Sequence, residues 1–315
     1  MPAKVEPAVE VNDSAVEIGM EAEAFKSNIE TVELSDLGRN LPVGVWLNDE
    51  RLTEVTLKPL TAKDERELGV LQKSANGPQA LELITNFMTR AVSHIGGVET
   101  KEIARTLGFM AGTTPDVKRL FSSMYMGDVL SLTAIVKLAT TGGDVAMAAK
   151  CPNCGHENVD KPGDSRHIHS IEGLEISCWK SDEKPILRHT LEQPVEMGEH
   201  SITYFCLSPL KYYQLNKVTG AKAKQAIDVE MLFSAITYVD HPAFQNMRGQ
   251  VFTSSIYDLL SFPDLTRLKT ALNQLELMPV FRGEMVCENC SHEWQADIPW
   301  ADLRNFLFNV TAVTA

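Results

Sequence analysis

Two short cysteine hooks constrain this chain more than any other feature. CPNCGHE at Cys151–Glu157 and CENCSHE at Cys287–Glu293 share the form C-x-N-C-[GS]-H-E at a spacing of 136 residues. A C-x-x-C turn sets two thiolates on one side of a tight loop, where amide N–H groups can point at the sulfurs and lower their pKa. A structural zinc site takes four ligands in a tetrahedron. Two hooks therefore complete one closed site of Cys151, Cys154, Cys287 and Cys290, one Zn²⁺ per chain, with no open position for chemistry.

Other uses of the hooks stay open on the sequence. Each could bind its own zinc with borrowed histidines, His156, His167 or His169 for the first and His292 for the second. A redox pair needs a helix N-terminus directly after a strand, whereas loop-like sequence follows Cys154 and strand-like WQADIP follows Cys290. The thiols could also be remnants of a lost site. HENVD and HEWQA lack the second histidine of H-E-x-x-H, so no zinc-protease helix is present. Cys178 and Cys206 read as small buried residues.

The 315 residues suffice for two domains or one internally duplicated domain. The formal net charge of −13 and the lack of a basic run argue against nucleic-acid binding. No apolar run reaches the roughly 18 residues that cross a bilayer, and MPAKVEPAVEVNDS has no signal-peptide pattern, so a reducing cytosol is expected. Phosphate-binding, dinucleotide and nucleophile-elbow motifs are absent, so no enzymatic activity is expected.

The pattern along the chain predicts an α+β fold built twice. Residues 1–40 read as an acidic flexible arm, with VEIGMEAEAF able to form a short helix. Residues 41–162 form a first unit. VGVWLNDERLTEVTLKPL reads as two strands around Asn48-Asp49, and Thr61 with Asp64 as a capping box. PQALELITNFMTRAVSHI reads as a core helix, followed by a helix capped at Asp128 and ended by Gly142-Gly143. After a linker at 163–184, residues 185–303 repeat that order: strand, turn, strand, the apolar helix DVEMLFSAITYV, and a capped helix ended by Pro279. Residues 304–315 are a tail.

LTEVTLKPL aligns with ITYFCLSPL, AVSHI with AITYV, and Leu132 with Leu268. Asp128 precedes Cys151 by the same 23 residues that separate Asp264 from Cys287. Each hook thus closes one unit.

LPVGVWLNDERLTEVTLKPLTAKDERELGVL resembles the opening of baseplate proteins from T4-like, contractile-tailed bacteriophages, and GDVLSLTAIVKLATTGGDVAMAAKCPNCG their approach to a C-x-x-C. CENCSHEWQADIPWADLRNFLF is similar to their close. The matching positions are Leu41, Pro42, Gly44, Pro59, Leu60, Thr61, the four hook cysteines and Phe306, and the resemblance runs loosely from 41 to 308.

It implies a virion structural subunit, assembled in the host cytoplasm in several copies of a symmetric particle. Such a subunit connects hub or tube to wedge proteins, without nucleic acid or membrane. A tail assembly chaperone and a zinc-ribbon adaptor for nucleic acid are the rival readings.

Overall fold

The computed structural model describes residues 19–67, 78–158, 168–215, 224–240, 254–298 and 306–307, and the chain is α+β. A short helix α1 (Ala22–Ser27), strand β1 (Ile29–Glu33) and helix α2 (Leu34–Leu37) precede the hairpin β2 (Asn40–Leu47) and β3 (Glu50–Leu57). Then come α3 (Pro78–Ala91), β4 (Val92–Ile95), β5 (Val98–Glu99), α4 (Thr100–Thr106) and the two-residue strands β6 (Met110–Ala111) and β7 (Thr114–Pro115). Helices α5 (Val117–Ser123) and α6 (Met126–Thr141) lead to β8 (Asp144–Ala146), β9 (Ala149–Lys150) and, past the first hook, β10 (Glu157–Asn158).

Strands β11 (Ile168–Ser170) and β12 (Glu175–Trp179) open the second half, followed by the long hairpin β13 (Leu187–Met197) and β14 (His200–Leu207). Helix α7 (Lys224–Ala235), β15 (Ile236–Val239), α8 (Ser254–Tyr257) and α9 (Phe262–Gln274) lead to β16 (Arg282–Val286), the second hook and β17 (Glu293–Asp297). No described helix is long and apolar enough to cross a membrane.

The β2–β3 hairpin turns on Asn48 and Asp49, both at positive φ, the left-handed geometry of a two-residue turn that Asn and Asp tolerate. Its register recurs in β13–β14. Asn40↔Glu54 and Val45↔Leu52 flank a bulge, and Thr190↔Tyr204 and Val195↔Ile202, all 150 positions on, flank another. β3 pairs with β4 at Val55↔Ile95 and Leu57↔Val92, and β14 with β15 at Phe205↔Val239 and Leu207↔Ile236. Small bonds recur as well. The Ser93 hydroxyl donates to the Thr56 carbonyl and that of Thr237 to the Cys206 carbonyl. Lys58 N–H donates to the Ala91 carbonyl and Ser208 N–H to that of Ala235.

Several elements differ from the sequence reading. AVSHI and AITYV are helical only at their alanines: Val92–Ile95 and Ile236–Val239 are strands, because β-branched residues gain more by pairing with β3 and β14 than by extending a helix. Asp128 does not cap α6. The N-cap is Tyr125, and Asp128 is the third helical residue. Helix α9 ends at Gln274, and Pro279 instead bridges to Ile176. The Thr61–Asp64 capping box forms as expected.

The assigned arm and linker also hold ordered structure. Phe25 is fully buried with its ring 4.7 Å from that of Trp179, and β1 pairs along its whole length with β12. Within the expected tail, Phe306 and Leu307 are fully buried. Residues 1–18 of the arm, 159–162 of the first unit, 163–167 of the linker and 304–305 and 308–315 of the tail lie outside the described residues.

Two apolar cores result, and they cross the sequence boundary. Phe281, Met285, Ile298, Phe306 and Leu307 from the end of the chain pack with the first half's Leu132, Val136 and Val145. Val43 and Tyr125 pack with the second half's Ile202, Phe205 and Leu268.

Candidate metal centre

Each hook is the tip of a β-ribbon, the first between β9 and β10, the second between β16 and β17. The two tips are built alike. Cys151 N–H donates to the His156 carbonyl at 2.9 Å and Gly155 N–H to the Cys151 carbonyl at 3.0 Å. Cys287 N–H donates to His292 and Ser291 N–H to Cys287, both at 2.9 Å. The residue after the second cysteine is left-handed in each, Gly155 at φ 73° and Ser291 at φ 57°. Glycine takes this conformation freely; serine does so at some cost.

The ribbons bring all four thiols together. Cys151 Sγ lies 3.7 Å from Cys290 Sγ, Cys154 Sγ 3.5 Å from Cys287 Sγ, and the four sulfurs all fall within 4.8 Å of one another. These separations exceed the roughly 2.05 Å of a disulfide bond. The separations of 3.5 and 3.7 Å lie near the edge of about 3.8 Å of a tetrahedron with metal–sulfur bonds of about 2.3 Å. The four cysteines form a group that could hold a metal ion.

Sequence reasoning quoted the asparagine of C-x-N-C without giving it a role. Asn153 Nδ2 donates to Cys290 Sγ at 3.6 Å, and Asn289 Nδ2 to Cys154 Sγ at 3.7 Å. Each hook thus places an amide donor on the last sulfur of the other, a local two-fold arrangement that separate sites would not produce. The recurrence of the same residue in both hooks was the available signal.

The symmetry breaks seven residues past each first cysteine, where Asn158 answers to Trp294. The fully buried Asn158 donates to the Ala149 and His156 carbonyls and accepts from Glu288 N–H at 3.0 Å, tying the first ribbon to the second hook.

Hydrogen bonds favour thiolate at the exposed cysteine. The His156 amide, then the Asn289 side chain, bring Cys154 down to about 6. Cys290 receives the His292 amide, which acts in the same direction, yet desolvation and the neighbouring Cys154 and Cys287 sulfurs push it up to about 11. Four crowded sulfurs cannot all ionise without a compensating cation.

The histidines considered as ligands stand outside the group. His156 Nε2 is 4.0 Å from a Glu288 carboxylate oxygen, and His292 stacks on Trp294. His169 is in β11, beside Gly283. His167 lies outside the described residues. Cys178 and Cys206 are buried, and burial raises both thiols.

A carboxylate clasp in each half anchors the helix that leads to the hook. Asp128 accepts from Val43 N–H at 2.8 Å and Gly44 N–H at 3.1 Å, in the β2 bulge. Asp264, also the third residue of its helix, accepts from Glu192 N–H at 2.9 Å and Gln193 N–H at 3.3 Å, in the β13 bulge. Gly44 is at φ 96°, and a Cβ there would meet the Leu52 carbonyl oxygen at 2.8 Å, so the bulge requires glycine.

No protein-family model matches the chain, and neither a curated protein nor a solved structure matches it.

Proposed function

We propose that the chain is a non-enzymatic structural subunit of a contractile-phage baseplate, joining hub or tube to wedge proteins, and that one Zn²⁺ held by Cys151, Cys154, Cys287 and Cys290 clasps its two halves. The observation that carries the zinc reading is the convergence of four sulfurs, two from each half, all within 4.8 Å of one another. An all-thiolate set suits zinc, and such a site is closed and serves stability. The ion supplies positive charge and a fixed tetrahedron; Asn153 and Asn289 orient the two second cysteines and offset thiolate charge, as outer donors do at metal sites.

The halves are, on this reading, copies of one unit. The shared strand registers, the clasps of Asp128 and Asp264 and the matched hooks support it.

The baseplate assignment rests on the resemblance from Leu41 to Phe306. Acidic Glu157, Glu288, Glu293 and Asp297 around the ribbons count against a nucleic-acid adaptor. Metal analysis of the purified chain tests the clasp: about one zinc per chain is expected, and none overturns it. Mass spectrometry of purified phage particles tests the assignment. Presence in baseplates supports it, and detection only in assembly intermediates would mark a chaperone.

A further inference from the structure

The four hook sulfurs are set for one pattern of covalent pairing. Cys151 Sγ faces Cys290 Sγ at 3.7 Å and Cys154 Sγ faces Cys287 Sγ at 3.5 Å, so each sulfur has a close neighbour in the opposite hook. Asn289, from the same hook as Cys287, donates to Cys154, and Asn153, from the same hook as Cys151, donates to Cys290. Access differs among the four. Cys151 and Cys287 are only 2% exposed, whereas Cys290 is half-buried and Cys154 is exposed. Each facing pair therefore joins one sulfur that solvent reaches to one that it does not.

We propose that the cluster is also a site of oxidative cross-linking, where a hydroperoxide joins Cys154 to Cys287 and Cys151 to Cys290 and so bonds the two halves covalently. The Cys154 thiolate attacks a peroxide oxygen, the O–O bond breaks, an alkoxide or hydroxide leaves, and the sulfur becomes a sulfenic acid. The Cys287 thiolate then attacks that sulfur; the S–S bond forms, the S–O bond breaks and hydroxide leaves. Each sulfur loses one electron and the hydroperoxide takes both. A second equivalent enters at Cys290 and is resolved by Cys151.

Closing 3.5 Å to the length of a disulfide takes a movement of about 1.5 Å, small enough for the β9–β10 and β16–β17 ribbons to stay paired. The crossed bonds span 133 and 139 positions of the chain, and long loops constrain the unfolded state most. A bond inside one hook would tie nothing to the other half. Cys178 and Cys206, 6% and 1% exposed, stay thiols. The inference needs only the convergence of the four sulfurs; where zinc is bound, each pairing removes two of its ligands.

The test treats the full-length chain with tert-butyl hydroperoxide, alkylates it, digests it without reduction and maps the peptides by mass spectrometry. Peptides joined through Cys154–Cys287 and Cys151–Cys290 are expected, with the six thiols of the denatured chain reduced to those of Cys178 and Cys206. The oxidised chain should also unfold at a higher urea concentration than the reduced, chelator-treated chain. Disulfides inside a hook or between chains overturn the proposal. So do oxidation of Cys154 to a sulfinic acid without pairing, persistence of all six thiols, and an unchanged urea midpoint. Zinc is measured before the oxidant is added, so the two readings fail separately. A zinc-free chain that pairs across the hooks sinks the zinc reading alone, and a zinc-bearing chain that pairs within them sinks this one alone.

Discussion

Asp128 and Asp264 perform one task in opposite electrostatic settings. Both are fully buried, both are the third residue of a helix, and both grip two amides of a strand bulge. Burial raises Asp128 to about 7, against the pull of the Val43 and Gly44 amides and of Lys211 and Arg51. At Asp264 burial acts in the same direction, but the Ser261 hydroxyl and the Glu192 and Gln193 amides outweigh it, and the carboxyl is held below its usual range. Two differences separate the outcomes: the Ser261 hydroxyl at the helix N-cap, for which Tyr125 gives Asp128 no counterpart, and the less enclosed setting of Asp264. A shared geometry therefore does not fix a shared energy: the count of donors against desolvation does.

The largest expected effect tests whether the halves act as one body. Cys151→Ser and Cys287→Ser should each abolish metal binding and destabilise by about 4 kcal/mol or more, with the double variant scarcely worse than either single. Denaturant unfolding with metal analysis reads this, and additive losses would mean that the hooks work separately.

The second contrasts the positions just before the two aspartates. A Cβ on Gly127 would lie 1.6 Å from the Leu277 carbonyl oxygen, whereas the equivalent Pro263 is exposed. Gly127→Ala should therefore cost about 3 kcal/mol or more and Pro263→Ala less than about 1 kcal/mol. Thermal melts giving equal losses would show that the crossing at Gly127 can relax.

The third separates the clasps by pH. Asp128 binds its proton more tightly folded than unfolded, so its contribution declines as pH rises from about 4 to about 7. Asp264 is the reverse: its contribution is present above about 4 and is lost as pH falls through the lowered folded value. At pH 7 Asp264→Asn should cost about 2 kcal/mol and Asp128→Asn less. The deficit of Asp128→Asn should shrink with rising pH, and that of Asp264→Asn with falling pH. Urea midpoints that track together across pH 3–8 would erase the contrast.

The smallest effect addresses the hooks. Asn153→Ala and Asn289→Ala should each cost about 1 kcal/mol and speed metal release to a chelator by similar factors. Unequal factors would show that the two-fold arrangement ends at the sulfurs.

Much of the site was legible because its signals are local. The matched hooks, the common 23-residue spacing from aspartate to cysteine, and the aligned LTEVTLKPL and ITYFCLSPL all correspond to paired features of the fold. The rest depended on partners distant in sequence. Ile29 pairs with Trp179, so a segment poor in large apolar residues and a polar connection each read as unstructured when taken singly. Val92–Ile95 and Ile236–Val239 continue an apolar helical pattern, and only the neighbouring β3 and β14 make them strands. Asp128 looked like a helix cap because nothing local reveals that its acceptor oxygens face a bulge 84 residues upstream.

The first and last described segments are crossed. Met20 is bridged to Leu187 in the second half, while Phe306 and Leu307 are sunk in the core of the first, where the Leu307 carbonyl accepts from the Thr141 hydroxyl. Tension applied between Met20 and Leu307 does not peel one half from the other at a hinge. Each of these anchors sits in the half opposite its own, so such a load passes as shear through both cores.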